Sequence, residues 1–551
     1  MPMSSKGIEH RAAKVSLVTG LTTIMSIVFQ LVSVPVCLMY WGKETYGSWL
    51  ALFSAFMLLR SLDAGYVSYV GNKLNYLYHQ DNRALRDHLS SSVAGIALIG
   101  VLQLLLALCT LMFYPLAAML GMHSGGAAEL SDMLGLLVLT VSWVLTGSYF
   151  GIVHRLLIPA GLMFQGAWWA MLFQASQFSA IMVAALLRMG MLQTSFLFAL
   201  SQMAIYVASV TYIKYKLPAY YPWWKGGHVS TGLKDLRQSM TLTFSNLIQQ
   251  GATNGIVLMV SLLAGPATVP IFTTVRTLTN LWTTVSNVLT TPLLPDMVRF
   301  HAKGEANKLV ATTEAHWVLA GSIVNAGVLL TYPLLPLLYG FWTGHAMMLD
   351  NSLLGLLLGS VVVTNAGAVI AIYLNGINSL RLVLSASVVR GVLGLGAGTL
   401  AYGKMGLAGF GLGILAGELV ALFITVRFFV TYELVNKGTK MPLSSFAPTA
   451  LSAGSVLLFL AGDGFGWFLF IWSWPLAFAG VMVSTVWGWK KLDYGVRVRL
   501  VSLFSNRITS SSVTKHLLDG YAHENVSISK ARFNRKPSCT STASKNKPDH
   551  G

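Results

Sequence analysis

Charge is what this sequence has least of. Asp, Glu, Lys and Arg make up 10% of its 551 residues, where a soluble globular domain carries about 25%. A soluble fold of this size could not cover itself with so little polar material. Cysteine is nearly absent too. Cys37, Cys109 and Cys539 lie far apart, two of them in apolar stretches, which excludes a disulfide framework and a cysteine-based zinc site. Catalytic signatures are missing: there is no HExxH, GxSxG or P-loop, and no glycine fingerprint in a strand–helix setting. The longest predicted outer loop, about residues 115–130, has only Glu129 nearby as an acid. A membrane glycosyltransferase or polymerase needs a sizeable loop with carboxylates or metal ligands. No enzyme, cofactor or metal site is therefore expected. His154, His301 and His316 sit at span ends and read as interface residues.

What is present is apolar sequence. Hydrophobic residues reach 54% and mean hydropathy is +0.64. At about 20 residues per crossing, the runs predict fourteen spans: 15–39, 47–71, 90–114, 131–154, 161–187, 193–213, 239–263, 268–295, 314–339, 352–376, 382–402, 405–430, 446–462 and 466–489. Asp463 and Gly464 separate the last two. The first run follows Lys6, Arg11 and Lys14 and continues to Met39 without a small-residue cleavage site. It reads as a retained helix, not a signal peptide.

The net charge of +18 is explained by where the cations fall. With the N-terminus in the cytoplasm, thirty of the 37 Lys and Arg are cytoplasmic and four lie within spans. Only Lys43, Arg188 and Lys404 are outside. This is the positive-inside distribution, with anionic membrane lipids as expected partners and no need for nucleic acid. Residues 490–551 are basic, rich in Ser, Thr and Asn, and expected to be a disordered cytoplasmic tail. The sequon at Asn525 falls inside it and reads as chance.

The chain also repeats at an offset of 223 residues. Lys14 and Arg237 open spans one and seven, and Gly42 and Gly265 lie in the outer turns that follow. Thr45 matches Thr268, and Asp81 matches Gly304 in two similar basic connections. Six spans per repeat makes the repeat parallel, a plan common in transporters whose site lies between the halves. The fold expected is an all-α polytopic membrane protein with both termini cytoplasmic: two six-helix lobes related by a parallel pseudo-two-fold repeat, plus a C-terminal helix pair. Its parts are a cytoplasmic N-terminus (1–14), an N-lobe (15–215), a linker (216–236), a C-lobe (237–431), the helix pair (432–489) and the tail (490–551).

Ionisable groups within a membrane are costly and each is a functional hypothesis. Six occur: Arg60 and Asp63 in span two, Arg276 in span eight, Arg390 in span eleven, and Glu418 and Arg427 in span twelve. Arg427 lies near the cytoplasmic end and can snorkel. Arg60 and Asp63, at i and i+3, either form a structural ion pair or serve an anionic substrate, with Asp63 tuning charge or coupling transport. Arg390 and Glu418, on adjacent spans, read first as a stabilising pair. In span eight Thr273, Arg276, Thr277, Asn280, Thr284, Asn287 and Thr291 share one helical face. Span seven offers Asn246, Gln250 and Thr253 or Asn254 opposite, and span one offers Gln30 with Thr23, Ser26 and Ser33. These faces line a cavity or hold helices together by hydrogen bonds. Four arginines against two acids make the interior cationic, which suits a phosphate or pyrophosphate gripped by guanidinium groups and repels a cationic drug.

The segment VPVCLMYWGKETYGSWLALFSAFMLLRSLDAGYVSYVGNKLN, from Val34 to Asn75, resembles bacterial oligosaccharide flippases of the O-antigen and polysaccharide exporter type. The likeness rests on Pro35, on the turn Gly42-Lys43-Glu44-Thr45-Tyr46-Gly47 and on the step Leu62-Asp63-Ala64-Gly65, with a basic segment after span eight, PDMVRFHAKGEANKL. It is strong over roughly 60 residues and extends by topology over about 490, since a span needs about 20 residues. The resemblance implies membership of the multidrug, oligosaccharidyl-lipid and polysaccharide exporter superfamily. It also implies alternating access and transfer of an undecaprenyl-pyrophosphate-linked oligosaccharide across the inner membrane. On that reading Arg60 and Arg276 meet the pyrophosphate and polysaccharide polymerase or assembly proteins are partners. Spans thirteen and fourteen depart from the twelve usual for the O-antigen type and match the lipid II flippases, which keeps that substrate open. A polytopic glycosyltransferase and a cation-coupled drug exporter remain as alternatives.

Overall fold

In hydrocarbon every backbone N–H and C=O must be satisfied within the protein, so a chain this apolar crosses as helices or as a closed barrel. The computed structural model describes residues 5–78, 80–112, 127–377, 379–434, 443–462, 467–492, 494 and 496–497. Among the described residues there is no strand, and each of the fourteen predicted spans falls on helix. Among the described residues ten helical stretches are long and apolar enough to cross a membrane, and Ala447–Gly462 is a shorter apolar helix. The protein is a multi-pass membrane protein. Most of the outer loop at 115–130, the break at Asp463 and Gly464, and nearly all of the tail lie outside the described residues, Asn525 and Cys539 included.

The first two spans are helices that meet at a kink. They run as one helical stretch, Ser5–Leu77, interrupted by a single non-helical residue, Gly42. Its φ of 75° and ψ of 178° are matched 223 residues later by Gly265, with φ 83° and ψ 160°. Both values lie where an L side chain is strained and glycine is not. The sequence repeat thus has a backbone counterpart, with the same left-handed break after spans one and seven. The chain beyond the first break also packs closely on the second turn, since a Cβ built on Gly47 would run into the carbonyl oxygen of Pro266.

Span two continues against the start of span seven, helix Val229–Gln250. A Cβ on Gly65 would come within 2.2 Å of the backbone nitrogen of Thr243. One turn on, Tyr69 hydrogen-bonds the Gln238 carboxamide. Lys73 Nζ then reaches Asp235 Oδ1 at 2.9 Å, while His88 Nδ1 lies 3.4 Å from the other oxygen. Asp235 is fully buried. An acid without solvent needs such partners, because removing them would leave an uncompensated charge. The terminal helices pack on span nine: Asn325 donates to Ser452 at 2.7 Å, Ser322 meets Thr485 at 2.7 Å, and Trp474 donates to the Leu329 carbonyl at 2.9 Å. Residues up to Gly488 form one unit, and those from Trp489 form a second.

Two histidines correct the interface reading. His316 is buried, and His301 Nδ1 lies 2.7 Å from the Tyr373 hydroxyl, so both belong to helix packing.

The contact at Gly47 gives a direct test. Gly47→Ala should lower the thermal stability of the detergent-solubilised protein by about 1–3 kcal/mol, the usual cost of overpacking. Gly20→Ala, where nothing lies within 4 Å, should leave it unchanged or slightly raised. Equal melting curves for the two variants would contradict the close approach of the turns.

Candidate functional site

The intramembrane charges recur beside departures from α-helical winding. Four wide, π-type turns occur among the described residues: Trp143–Gly147, Gly251–Gly255, Leu393–Ala397 and Phe429–Glu433. Such turns insert a residue, change which side chains share a face and loosen the carbonyl ladder. Trp143 contacts both Arg60 and Asp63, Thr253 contacts Arg276, Arg390 lies just before the third turn and Arg427 just before the fourth. Arg427 is exposed, as a snorkelling residue should be.

In the first half Arg60 and Asp63 do not form the ion pair that their spacing allows. The Arg60 guanidinium lies 4.0 Å from the centroid of Trp143, a cation–π contact. Asp63 accepts from the indole Nε1 of the same tryptophan at 2.6 Å and from the Ser148 hydroxyl at 2.5 Å. Trp143 therefore serves the cation with its face and the acid with its edge. Asp63 is 2% exposed, so these donors, not water, satisfy its Oδ2. Nothing in the local sequence around Trp143 shows that it reaches span two.

In the second half a cavity of about 470 Å3 is walled by spans seven, eight, ten, eleven and twelve. Arg276, Asn280 and Asn287 of the predicted span-eight face line it, as do Arg390 and Glu418. Arg276 Nη1 donates to the carbonyl of Thr253, in the wide turn of span seven, at 2.8 Å. Arg390 Nε contacts both Glu418 oxygens, at 2.9 and 3.0 Å. The pair is formed as expected, yet it faces the cavity, with 32% and 15% of the two side chains exposed. With Glu418 paired to Arg390, the formal charge of these three cavity-lining groups is that of one guanidinium.

A second cavity, about 380 Å3, lies between spans one, five and eight. Gln30, Thr23 and Ser26 line it from span one, Gln174 from span five, and Asn280 and Thr284 from span eight. Its lining holds no charged residue, and Asn280 borders both cavities. The span-eight stripe is therefore divided between two spaces. Its threonines mostly bond their own helix: Thr273, Thr277 and Thr284 each donate to the carbonyl four residues back. Their oxygens still have lone pairs to offer, but they do not join helices.

Other predicted residues fall elsewhere. Arg60 lines neither cavity, so this conformation does not bring it together with Arg276. Asn246 lines neither, and Gln250 accepts from Asn254 at 2.6 Å within its own helix while Gln249 faces the larger cavity. Span ten supplies a wall that was overlooked: Ser360, Thr364, Ala368, Ala371 and Asn375. Their spacing of four, four, three and four residues was readable as one helical face. Uniform smallness concealed it.

Asp63→Ala should strand the Trp143 indole N–H and the Ser148 hydroxyl in a buried setting, costing about 1–3 kcal/mol. Asp63→Asn, which keeps an acceptor, should cost less. Thermal melting of the purified protein measures both, and a wild-type curve for Asp63→Ala would show that the carboxylate does not hold this cluster.

No protein-family profile and no curated protein sequence matches the chain. Solved structures do. The lipid II flippase MurJ in an inward closed conformation aligns with a TM-score of 0.60 at 15% identity, covering 86% of this chain and 99% of that one. An inward-facing multidrug resistance MATE family transporter of the MOP superfamily aligns at 0.58 and 16% identity, covering 73% and 92%. An outward-facing MATE family structure aligns at 0.53 and 16%, covering 76% and 94%. At such identities the likeness is one of fold. The chain has the fold of MOP-superfamily transporters and flippases.

Proposed function

We propose that the protein is an inner-membrane flippase for an undecaprenyl-pyrophosphate-linked oligosaccharide, of the O-antigen or exopolysaccharide repeat-unit type, working by alternating access. The observation that carries this reading is the larger cavity, where Arg276 and Arg390 face a common space edged by carboxamides and hydroxyls. A polyprenyl-linked substrate presents three surfaces to its carrier. Pyrophosphate needs cations with several donors, which guanidinium supplies in a planar fork. Sugars need hydroxyl and carboxamide partners, here Asn280, Asn287, Thr283 and Ser360. The polyprenyl tail needs no protein cavity, because it can remain in lipid.

Arg276 is tethered to a backbone carbonyl, not to an acid. A neutral tether orients the guanidinium without cancelling its charge, leaving it able to attract an anion. Arg390, already paired with Glu418, would contribute only if that pair rearranged. Arg60 would join the headgroup site in another conformation of the cycle, with Asp63 tuning its charge. Gln30 and Asn280, on the smaller cavity, would meet the glycan, and Asn246 and Gln250 would flank its passage. The two lobes, 15–215 and 237–431, would rock about the seam of spans two and seven. Polysaccharide polymerase or assembly proteins would take the product.

A second reading, a lipid II flippase, is favoured by one observation. The structure titled as such covers 86% of this chain, against 73% and 76% for the MATE structures. Both readings share polyprenyl-pyrophosphate chemistry and differ in the glycan. A drug exporter selective for cations fits poorly with a cavity led by Arg276.

Arg276→Ala and Arg276→Lys test the proposal in cells. Loss of one charge-assisted contact, about 1.5–3 kcal/mol, should weaken headgroup binding about 10- to 100-fold. Surface glycan should fall and its undecaprenyl-linked precursor accumulate in the Ala variant at normal protein level, with partial recovery in Lys. Accumulation of lipid II instead would select the second reading. Unchanged glycan and precursors in both variants would remove Arg276 from any headgroup site.

A further inference from the structure

The segment joining spans six and seven was expected to be a plain linker, yet it is fastened at several points. Residues Pro218–Tyr220 form a short helical turn, and the Tyr220 hydroxyl donates to Asn82 Oδ1 at 3.1 Å. Trp223 is 4% exposed, within the same core as Leu74 and Leu85. Further on, the His228 N–H donates to the Ser91 hydroxyl at 3.0 Å. The segment is thus held on the ends of spans two and three.

Its outer face has the opposite character. Trp224, next to the buried Trp223, is 56% exposed, and Tyr215 is 78% exposed. The rings are set in fixed relation: Tyr221 meets Trp223 at 5.2 Å and Trp224 at 5.4 Å, both edge-on. Cations sit among them. Lys214 Nζ is 4.3 Å from the Tyr221 centroid, Lys216 is 5.4 Å from that of Tyr215, and Lys225 is exposed directly after Trp224. From Lys214 to Lys234 there is no acidic residue, and the next, Asp235, is buried against Lys73. Clustered indole and phenol rings interleaved with lysines, at the end of a membrane span, match the depth at which ester groups and phosphates lie. Ordinary lipid-facing surface is aliphatic and uncharged, unlike this face.

We infer that this face is a binding platform for the headgroup of an anionic phospholipid, with Trp224 inserted at the headgroup level and Lys214, Lys216 and Lys225 on the phosphate. The lipid is a partner of the protein and distinct from whatever it transports. The inference stands whether or not the flippase reading holds, because it uses neither cavity. Because the segment joins the two halves of the repeat, a lipid held here touches the connection across which they would move.

The test uses the full-length protein in vesicles of phosphatidylcholine and phosphatidylglycerol, with one lipid or the other brominated in its acyl chains. Subtracting the emission of Trp224→Phe from wild type isolates one indole among the 15 tryptophans. Brominated phosphatidylglycerol should quench that indole more strongly than brominated phosphatidylcholine at equal mole fraction. The preference should fall to parity in Lys214→Gln/Lys216→Gln/Lys225→Gln. Equal quenching by the two lipids in wild type would overturn the inference, as would quenching by neither, which would mean that water or a protein partner covers the face. A preference that survives loss of the three lysines would overturn it as well.

Discussion

A polar group withdrawn from water must find its partner inside the protein, and most of this structure can be derived from that requirement. It turns the chain into helices, because only helices satisfy the backbone segment by segment. It also explains the company kept by the intramembrane charges. Asp63 takes donors from Trp143 and Ser148, Arg276 takes a backbone carbonyl, and Arg390 takes both oxygens of Glu418. In two of these cases the partner belongs to a wide helical turn. The helix gives up a regular hydrogen-bond ladder at the places where a charge can make use of the irregularity.

The same economy governs how the halves meet. Glycine at 47 and 65 brings spans close enough for backbone contact, where larger residues would hold them apart. Close approach yields dispersion contacts and excludes lipid, the main sources of cohesion once the hydrophobic effect no longer drives helix pairing. At the far end of this seam the buried Asp235 of the span-seven helix takes a partly exposed Lys73 from span two and lies 3.4 Å from the buried His88 ring.

The proposed function rests on how polarity is distributed around span eight. One side looks onto an uncharged space shared with spans one and five, the other onto a space with two arginines. Asn280 touches both. The proposed substrate, with a neutral glycan and an anionic pyrophosphate, would need these two environments next to each other. Arg276 has a neutral tether, whereas Arg60 is occupied by an aromatic face and Arg390 by an acid. Availability for an anion therefore differs among three residues that look equivalent in the sequence.

The helical spans and the shared span-eight face of Arg276, Asn280 and Asn287 were legible in the sequence. Hydropathy and helical periodicity are local properties, and a membrane enforces both over windows of about 20 residues. The matched Gly42 and Gly265 were legible for a similar reason, since left-handed backbone calls for glycine wherever it occurs. Partner choice was not legible. Spacing put Arg60 beside Asp63, but Trp143, some 80 residues further on, meets Asp63 with its edge and Arg60 with its face. Arg390 and Glu418 were correctly paired, though not seen to share a cavity with Arg276, and the quiet face of span ten was not singled out. Only the tertiary structure decided these points. Which polar group meets which depends on how helices rotate and lean against one another, and that is set by packing between segments distant in the chain.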